Sequence, residues 1–282
     1  MACYTVHDVL VKQILQHYPV GEVIFVRAIL SALLIGGVAI ALGHARSLWL
    51  ALNHKVAVRS LCDGLSTACF IAALAHMQLA NLAAVLQLAP LLITALSVIF
   101  FRETVGWRRW TAIGVGFVGA LMVIQPGPSS FNVWAAAGAA SALFAALREI
   151  QNRAIDRAVP TIVIAFWAAA TMTLFGTLFA IAEDWRMLTA GDLMRLLFAA
   201  GFMGIAIYLM VLGFRNVDLS VVAPFRYSYL LTSAIGGYLV FREWPDGWTI
   251  LGALLIVASG IYTLHREAVR RRILTAKATP AL

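Results

Sequence analysis

The residues best placed to do chemistry are the few charged side chains that interrupt long apolar runs. Asp8 and Lys12 stand four residues apart near the start of the chain, and Arg59 and Asp63 repeat that spacing. Residues i and i+4 share one helix face. Each pair therefore either neutralises itself locally or leaves Asp8 or Asp63 to take up a proton or meet a substrate amine. A charge at the bilayer centre costs roughly 3 kcal/mol or more unless it faces the protein interior or finds a partner. Arg27, just after Glu22, either snorkels to the interface or joins Asp8 and Lys12 in coupling and gating. Arg226 lies in Ala223-Pro224-Phe225-Arg226-Tyr227. Proline can unwind a turn, which membrane depth tolerates where protein or a water-filled cavity satisfies the freed carbonyls. An unwound turn beside a guanidinium, with Tyr227 adjoining, is a grip for a carboxylate or phosphate; pairing of Arg226 with an acidic neighbour is the structural alternative. Asp63, Ser66 and Thr67 share a face with Phe70 and Leu74, a polar stripe that either lines a cavity or glues helices together. Gln87, Trp167 and Tyr208 are further candidate substrate contacts, although helical aromatics also serve packing.

Other chemistries lack their residues. Gly114-Val-Gly116-Phe-Val-Gly119 spells a dinucleotide fingerprint, but no strand precedes it and no acidic residue follows about 20 positions on. Small residues at helical spacing fit close helix packing instead. No P-loop, HExxH pair or GxSxG elbow occurs. The six histidines are scattered without ligand spacing, and Cys3, Cys62 and Cys69 sit in apolar segments as buried free thiols. The expectation is a protein that is not an enzyme, with no cofactor and no metal.

The elements that must position these residues are membrane helices. Of 282 residues, 62% are hydrophobic and 12% charged, with mean hydropathy +0.89, against roughly a quarter charged in soluble domains. Apolar runs fall near 1–15, 23–42, 56–75, 82–101, 107–124, 133–150, 161–182, 193–214, 219–241 and 248–264, enough for about ten spans of about 20 residues. The net charge of +8 is spread in clusters between runs, which suits lipid headgroups and topology rather than nucleic acid. Of 21 Lys and Arg, only Arg186, Arg195 and Arg242 fall on one side of such a bundle. Lys12, Arg27 and Arg226 fall within helices and all the others on the opposite side. Both termini are therefore expected in the cytoplasm, with the chain in the inner membrane. Phe101-Arg102-Glu103, Gly106-Trp107 and Gly119 recur as Phe241-Arg242-Glu243, Gly247-Trp248 and Gly260. Repeats of five helices must lie inverted, and such repeats place a substrate site near the midplane between them. The expected fold is an all-α integral membrane protein with halves at 1–128 and 129–266 and a basic tail at 267–282. Pro90 and Pro224 do not superpose in this alignment.

The repeated half ending in Phe-Arg-Glu, the Gly-Trp start of the next helix and its late Gly resemble the drug/metabolite transporter superfamily, in its ten-helix EamA-type members. So do Tyr18-Pro-Val-Gly-Glu-Val before Arg27, Leu88-Ala-Pro-Leu, and Ala223-Pro-Phe-Arg-Tyr through Asp246. The resemblance spans essentially the whole chain and implies a secondary transporter of a small organic metabolite. Its second half is most similar to uptake carriers for S-adenosylmethionine or riboflavin, while other relatives export amino acids. Glu103 and Glu243 match the family glutamate and its counterpart. The expected partners are a small-molecule substrate, membrane lipid, and a proton or counter-solute that couples transport.

Overall fold

The structure, a computed structural model, describes residues 1–50, 53–101, 106–125, 133–156, 159–181, 183–216 and 223–278; within these, the side chains of 49–50, 153, 180, 207–208, 210–216, 223–224, 267–268 and 270–278 are not described. Glu103, the 128/129 boundary and the side chain of Tyr208 thus lie outside the described residues.

Each expected apolar run is largely helical within the described residues. In chain order these are α1 (Ala2–Leu15), α2 (Val20–Ala41), a short α3 (Ala45–Leu50), α4 (His54–His76), α5 (Leu79–Leu86), α6 (Ala89–Phe101), α7 (Trp107–Ile124), α8 (Val133–Ala154), α9 (Thr161–Ala180), α10 (Ala190–Asn216), a 3-10 turn (Ala223–Tyr227), α11 (Ser228–Phe241) and α12 (Gly247–Ala278). Proline at the N-cap starts α2 and α9, where its fixed φ suits the chain entry. Among the described residues six segments are long and apolar enough to cross a membrane: α2, α4, α5 with α6, α8 to Asn152, α9 to Phe179, and α12 to Arg266. The first run is short, 14 residues and so about 21 Å. Large side chains such as Leu33, Ile99, Leu174, Leu239 and Leu254 remain more than half exposed, an outer apolar surface that suits lipid as solvent.

Packing pairs the halves as a two-fold axis would. Helix α2 packs on α9, its counterpart, and α7 on α12; α4 meets α8 and α9, while α1 meets α10 and α10 meets α2; α6 on α8 mirrors α1 on α11. The α7/α12 crossing accounts for the last glycine of the GxGxxG run. A Cβ on Gly119 would stand 2.6 Å from the Gly252 carbonyl oxygen, and one on Gly252 would collide with the Gly119 carbonyl in return. Only glycine permits backbones so close. Gly119→Leu is expected to destabilise the protein by about 1–3 kcal/mol, read as a lower melting temperature in detergent, whereas Gly114→Ala, with open space around its Cβ position, should change little.

The register that pairs Phe101 with Phe241 also pairs Gln87 with Tyr227. Gln87 is the break between α5 and α6, and Tyr227 the junction of the 3-10 turn with α11. Among the described residues, the α5–α6 turn and the passage from the 3-10 turn into α11 therefore fall at the same register. The prolines differ in position because Pro90 follows its break while Pro224 precedes the other.

Asp246 caps α12. Its carboxylate accepts from Thr249 N at 3.0 Å and from Gln125 Nε2 at 2.5 Å, tying the start of α12 to the left-handed end of α7 (Gln125 φ 47°). These bonds, that from Thr249 first, hold its carboxyl below the usual carboxylate range. A depressed native value stabilises above the unfolded value and loses that contribution as pH falls through the native one. Thermal melts of wild type and Asp246→Asn should thus differ at pH 6 and converge toward pH 3.

Candidate functional site

The two breaks meet. Gln87 Nε2 donates to the Arg226 backbone carbonyl at 3.3 Å, satisfying an acceptor freed by the unwound turn. Among the described residues the half-buried Arg226 guanidinium has neither a hydrogen bond nor an ion pair. It lies within electrostatic reach of Tyr4, as do Arg148, Asp8 and Glu149. Tyr227 is enclosed: its ring fills the space left by Gly260, whose Cβ would fall 2.7 Å from Tyr227 Cζ, and its hydroxyl is buried without a partner.

Beside the breaks lies a buried cluster on α1, α2 and α11. Tyr229 OH donates to Asp8 Oδ2 at 2.5 Å, His7 Nδ1 lies 2.9 Å from Asp8 Oδ1, and Arg27 NH1 lies 3.2 Å from His7 Nε2. Arg27 is 8% exposed and its Nε has no partner. It does not snorkel, because α9 packs on α2 and a buried imidazole takes one of its donors. The Asp8–Lys12 pair expected from spacing does not form. Lys12 Nζ instead donates to Glu243 Oε1 at 2.6 Å and to the Met77 carbonyl at 2.8 Å, and Glu243 Oε2 accepts from Leu79 N at 3.0 Å. A lysine stem is long enough to reach past its own helix turn, and Glu243 offers one oxygen to it and the other to an unpaired amide at the start of α5.

A second ionic cluster joins α4 to α8. Asp63 accepts from Arg59 NH1 at 3.0 Å and Arg148 NH1 at 2.7 Å, and Arg148 also reaches Glu149 at 3.4 Å. Here the local i, i+4 pair does form. Its neighbours on the stripe are glue: Ser66 and Ser141 each donate to the other's carbonyl, at 2.9 and 2.8 Å, while Thr67 bonds back to the Asp63 carbonyl at 2.9 Å. Trp167 Nε1 donates to the Leu48 carbonyl at 2.7 Å, fastening α9 to α3. Arg27 is within electrostatic reach of both Asp8 and Asp63, so it stands between the clusters. Asp63 and Met77 are about 20 Å apart along α4, which puts an inter-half ionic contact on either side of the breaks.

This arrangement of paired five-helix halves matches a known family twice. Residues 1–125 and again 132–264 match the EamA-like transporter family. The chain belongs to that family. EamA-like relatives include the S-adenosylmethionine uptake transporter of Rickettsia bellii, 32% identical over 63% of this chain and 61% of its own length. The chain thus spans about three fifths of that relative. The pseudopaline exporter CntI of Pseudomonas aeruginosa is 29% identical over 92% of this chain and 90% of its own, and the riboflavin transporter of Vibrio cholerae 30% identical over 67% and 63%. A solved crystal structure with 21% identity shares the EamA-like fold at a TM-score of 0.61, covering 96% of each chain. Membership of this family, together with the apolar helices, makes the chain a multi-pass membrane protein.

Within the EamA-like bundle, sequence reasoning missed His7, Tyr229, Arg148, Ser141 and Tyr4. Arg148 was sorted with loop charges because it ends its apolar run, although Glu149 and Asn152 on the same helix mark a polar patch. His7 adjoins Asp8, which was the available signal for it.

Proposed function

We propose that the chain is a secondary carrier in which two inverted halves, 1–128 and 129–266, with a basic tail at 267–282, rock about the meeting point of the interrupted fourth helices. The observation that carries this reading is the guanidinium of Arg226 at that junction, opposite Gln87, which has no hydrogen bond or ion pair among the described residues. A carboxylate or phosphate on a small metabolite satisfies it with charge-assisted hydrogen bonds. Tyr227 supplies an aromatic wall nearby, and Tyr208 extends the candidate contacts. Asp63, Ser66 and Thr67 flank the site from α4. Lys12–Glu243 and Asp63–Arg148 are ionic locks that open in turn, exposing the site to one side and then the other; Asp8 and Arg27 couple them. With no nucleotide motif in the sequence, a proton or counter-solute gradient drives the cycle. The carrier sits in the inner membrane with both termini in the cytoplasm.

Relatives named for uptake and for export both occur, so either direction is compatible with one site. S-adenosylmethionine, riboflavin and amino acids are the first solutes to test. A ligand that binds only the folded state raises its melting temperature by mass action, so a thermal-shift screen of the purified protein should single out one class. Proteoliposome uptake of that solute should then be saturable and respond to a pH or counter-solute gradient.

A further inference from the structure

The hydrogen-bond pattern around His7 fixes its protonation. A guanidinium has donors and no acceptor, so Arg27 NH1 at 3.2 Å requires a lone pair on His7 Nε2. The ring proton is then on Nδ1, donated to Asp8 Oδ1 at 2.9 Å. Asp8 is the ionised acceptor for both His7 and Tyr229. The imidazole, 3% exposed, is therefore neutral, bridging an anion and a cation. We propose that His7 is a proton-binding site, in which protonation of Nε2 places a donor against a donor and expels Arg27 from the imidazole.

Imidazole is the side chain whose charge ordinarily changes between about pH 5 and 8. Its surroundings make the event consequential. Arg27 on α2 contacts His7 directly and Tyr229 on α11 shares its Asp8 acceptor; Asp63, paired with Arg59 on α4, is within electrostatic reach of Arg27, and Asp8, Tyr4 and Lys12 lie on α1 itself. Arg226, Arg148 and Glu149 act on the Tyr4 side, and α10 contributes Asp192 and Arg195 at the far end near Tyr18. A protonated His7 keeps its bond to Asp8 and drives Arg27 toward Asp63 or a bound anion. One proton is thereby converted into a moved positive charge between the two ionic locks. The consequence for transport rests on the carrier reading above; the protonation itself does not.

The test reads the ring directly. The other five histidines are outside the buried core, so their replacement by Gln leaves His7 as the sole imidazole in the full chain. With 15N-labelled histidine in lipid nanodiscs, two-bond 15N–1H spectra distinguish the two neutral tautomers from the cation. The expected result is the Nδ1–H tautomer at about pH 8, with the cation appearing on acidification. In Arg27→Met, loss of the donor to Nε2 should let the Nε2–H tautomer appear. An Nε2–H ring at about pH 8, no cation on acidification, or a ring tautomer indifferent to Arg27→Met would overturn the proposal. Transport can fail for every tested solute without altering these outcomes, so the two readings fail separately.

Discussion

Arg226→Ala is expected to lower solute uptake into proteoliposomes by roughly 10- to 100-fold while leaving the melting temperature close to that of wild type. The reasoning starts from what the side chain lacks. Its guanidinium makes no hydrogen bond or ion pair among the described residues, so truncation breaks no such bond there and leaves none of those residues orphaned. Its backbone carbonyl, which Gln87 needs, survives the substitution. A hydrogen bond to a charged group contributes about 1.5–3 kcal/mol, and each 1.4 kcal/mol is about tenfold in an equilibrium constant. Arg226→Lys should recover part of the activity, since it keeps the charge but loses the bidentate fork. Uptake at wild-type rates in Arg226→Ala would remove this residue from the mechanism.

Glu243→Gln should have the largest effect on stability, about 3–5 kcal/mol, the usual cost of stranding one member of a buried ion pair. Lys12 is 6% exposed and its ammonium is served by Glu243 Oε1, the Met77 carbonyl and the face of Phe241 at 4.9 Å. Removing the carboxylate charge leaves that cation without a counter-ion. It also weakens the acceptor that receives Leu79 N at the first turn of α5. Lys12→Met in the same chain should relieve much of the loss, because no uncompensated charge then remains. The double-mutant cycle, measured by chemical unfolding in detergent, isolates the pair from the helix-end contribution.

The sequence made the scaffold legible for physical reasons. Helix spans follow from the bilayer's need for apolar length, and the repeat followed from Phe-Arg-Glu and Gly-Trp recurring with their glycines. Gly119 and Gly252 are at the crossing where backbone contact demands them. The break at Gln87 was not visible, since Leu79–Phe101 has the mean hydropathy of one continuous span and its Pro90 lies after the interruption. Charge pairing was legible only where it is local. Arg59 and Asp63 meet as the helical spacing requires, but Asp63 also draws Arg148 from 85 residues away, and Lys12 prefers Glu243, 231 residues away, to Asp8. Helical periodicity says which face a charge occupies, and nothing about which distant helix covers that face. The same limit applies to Ser66, whose stripe could line a cavity or bind a neighbour; its hydroxyl donates to the Ser141 carbonyl, 75 residues away.

The claim on which the account turns is that one solute site between the halves is reached from each side in turn. Counterflow tests it most directly: proteoliposomes are preloaded with the unlabelled solute selected by thermal shift, and entry of the labelled form is followed. An alternating carrier gives saturable entry that the preloaded solute accelerates. Entry that rises linearly with concentration and ignores the internal solute would contradict it.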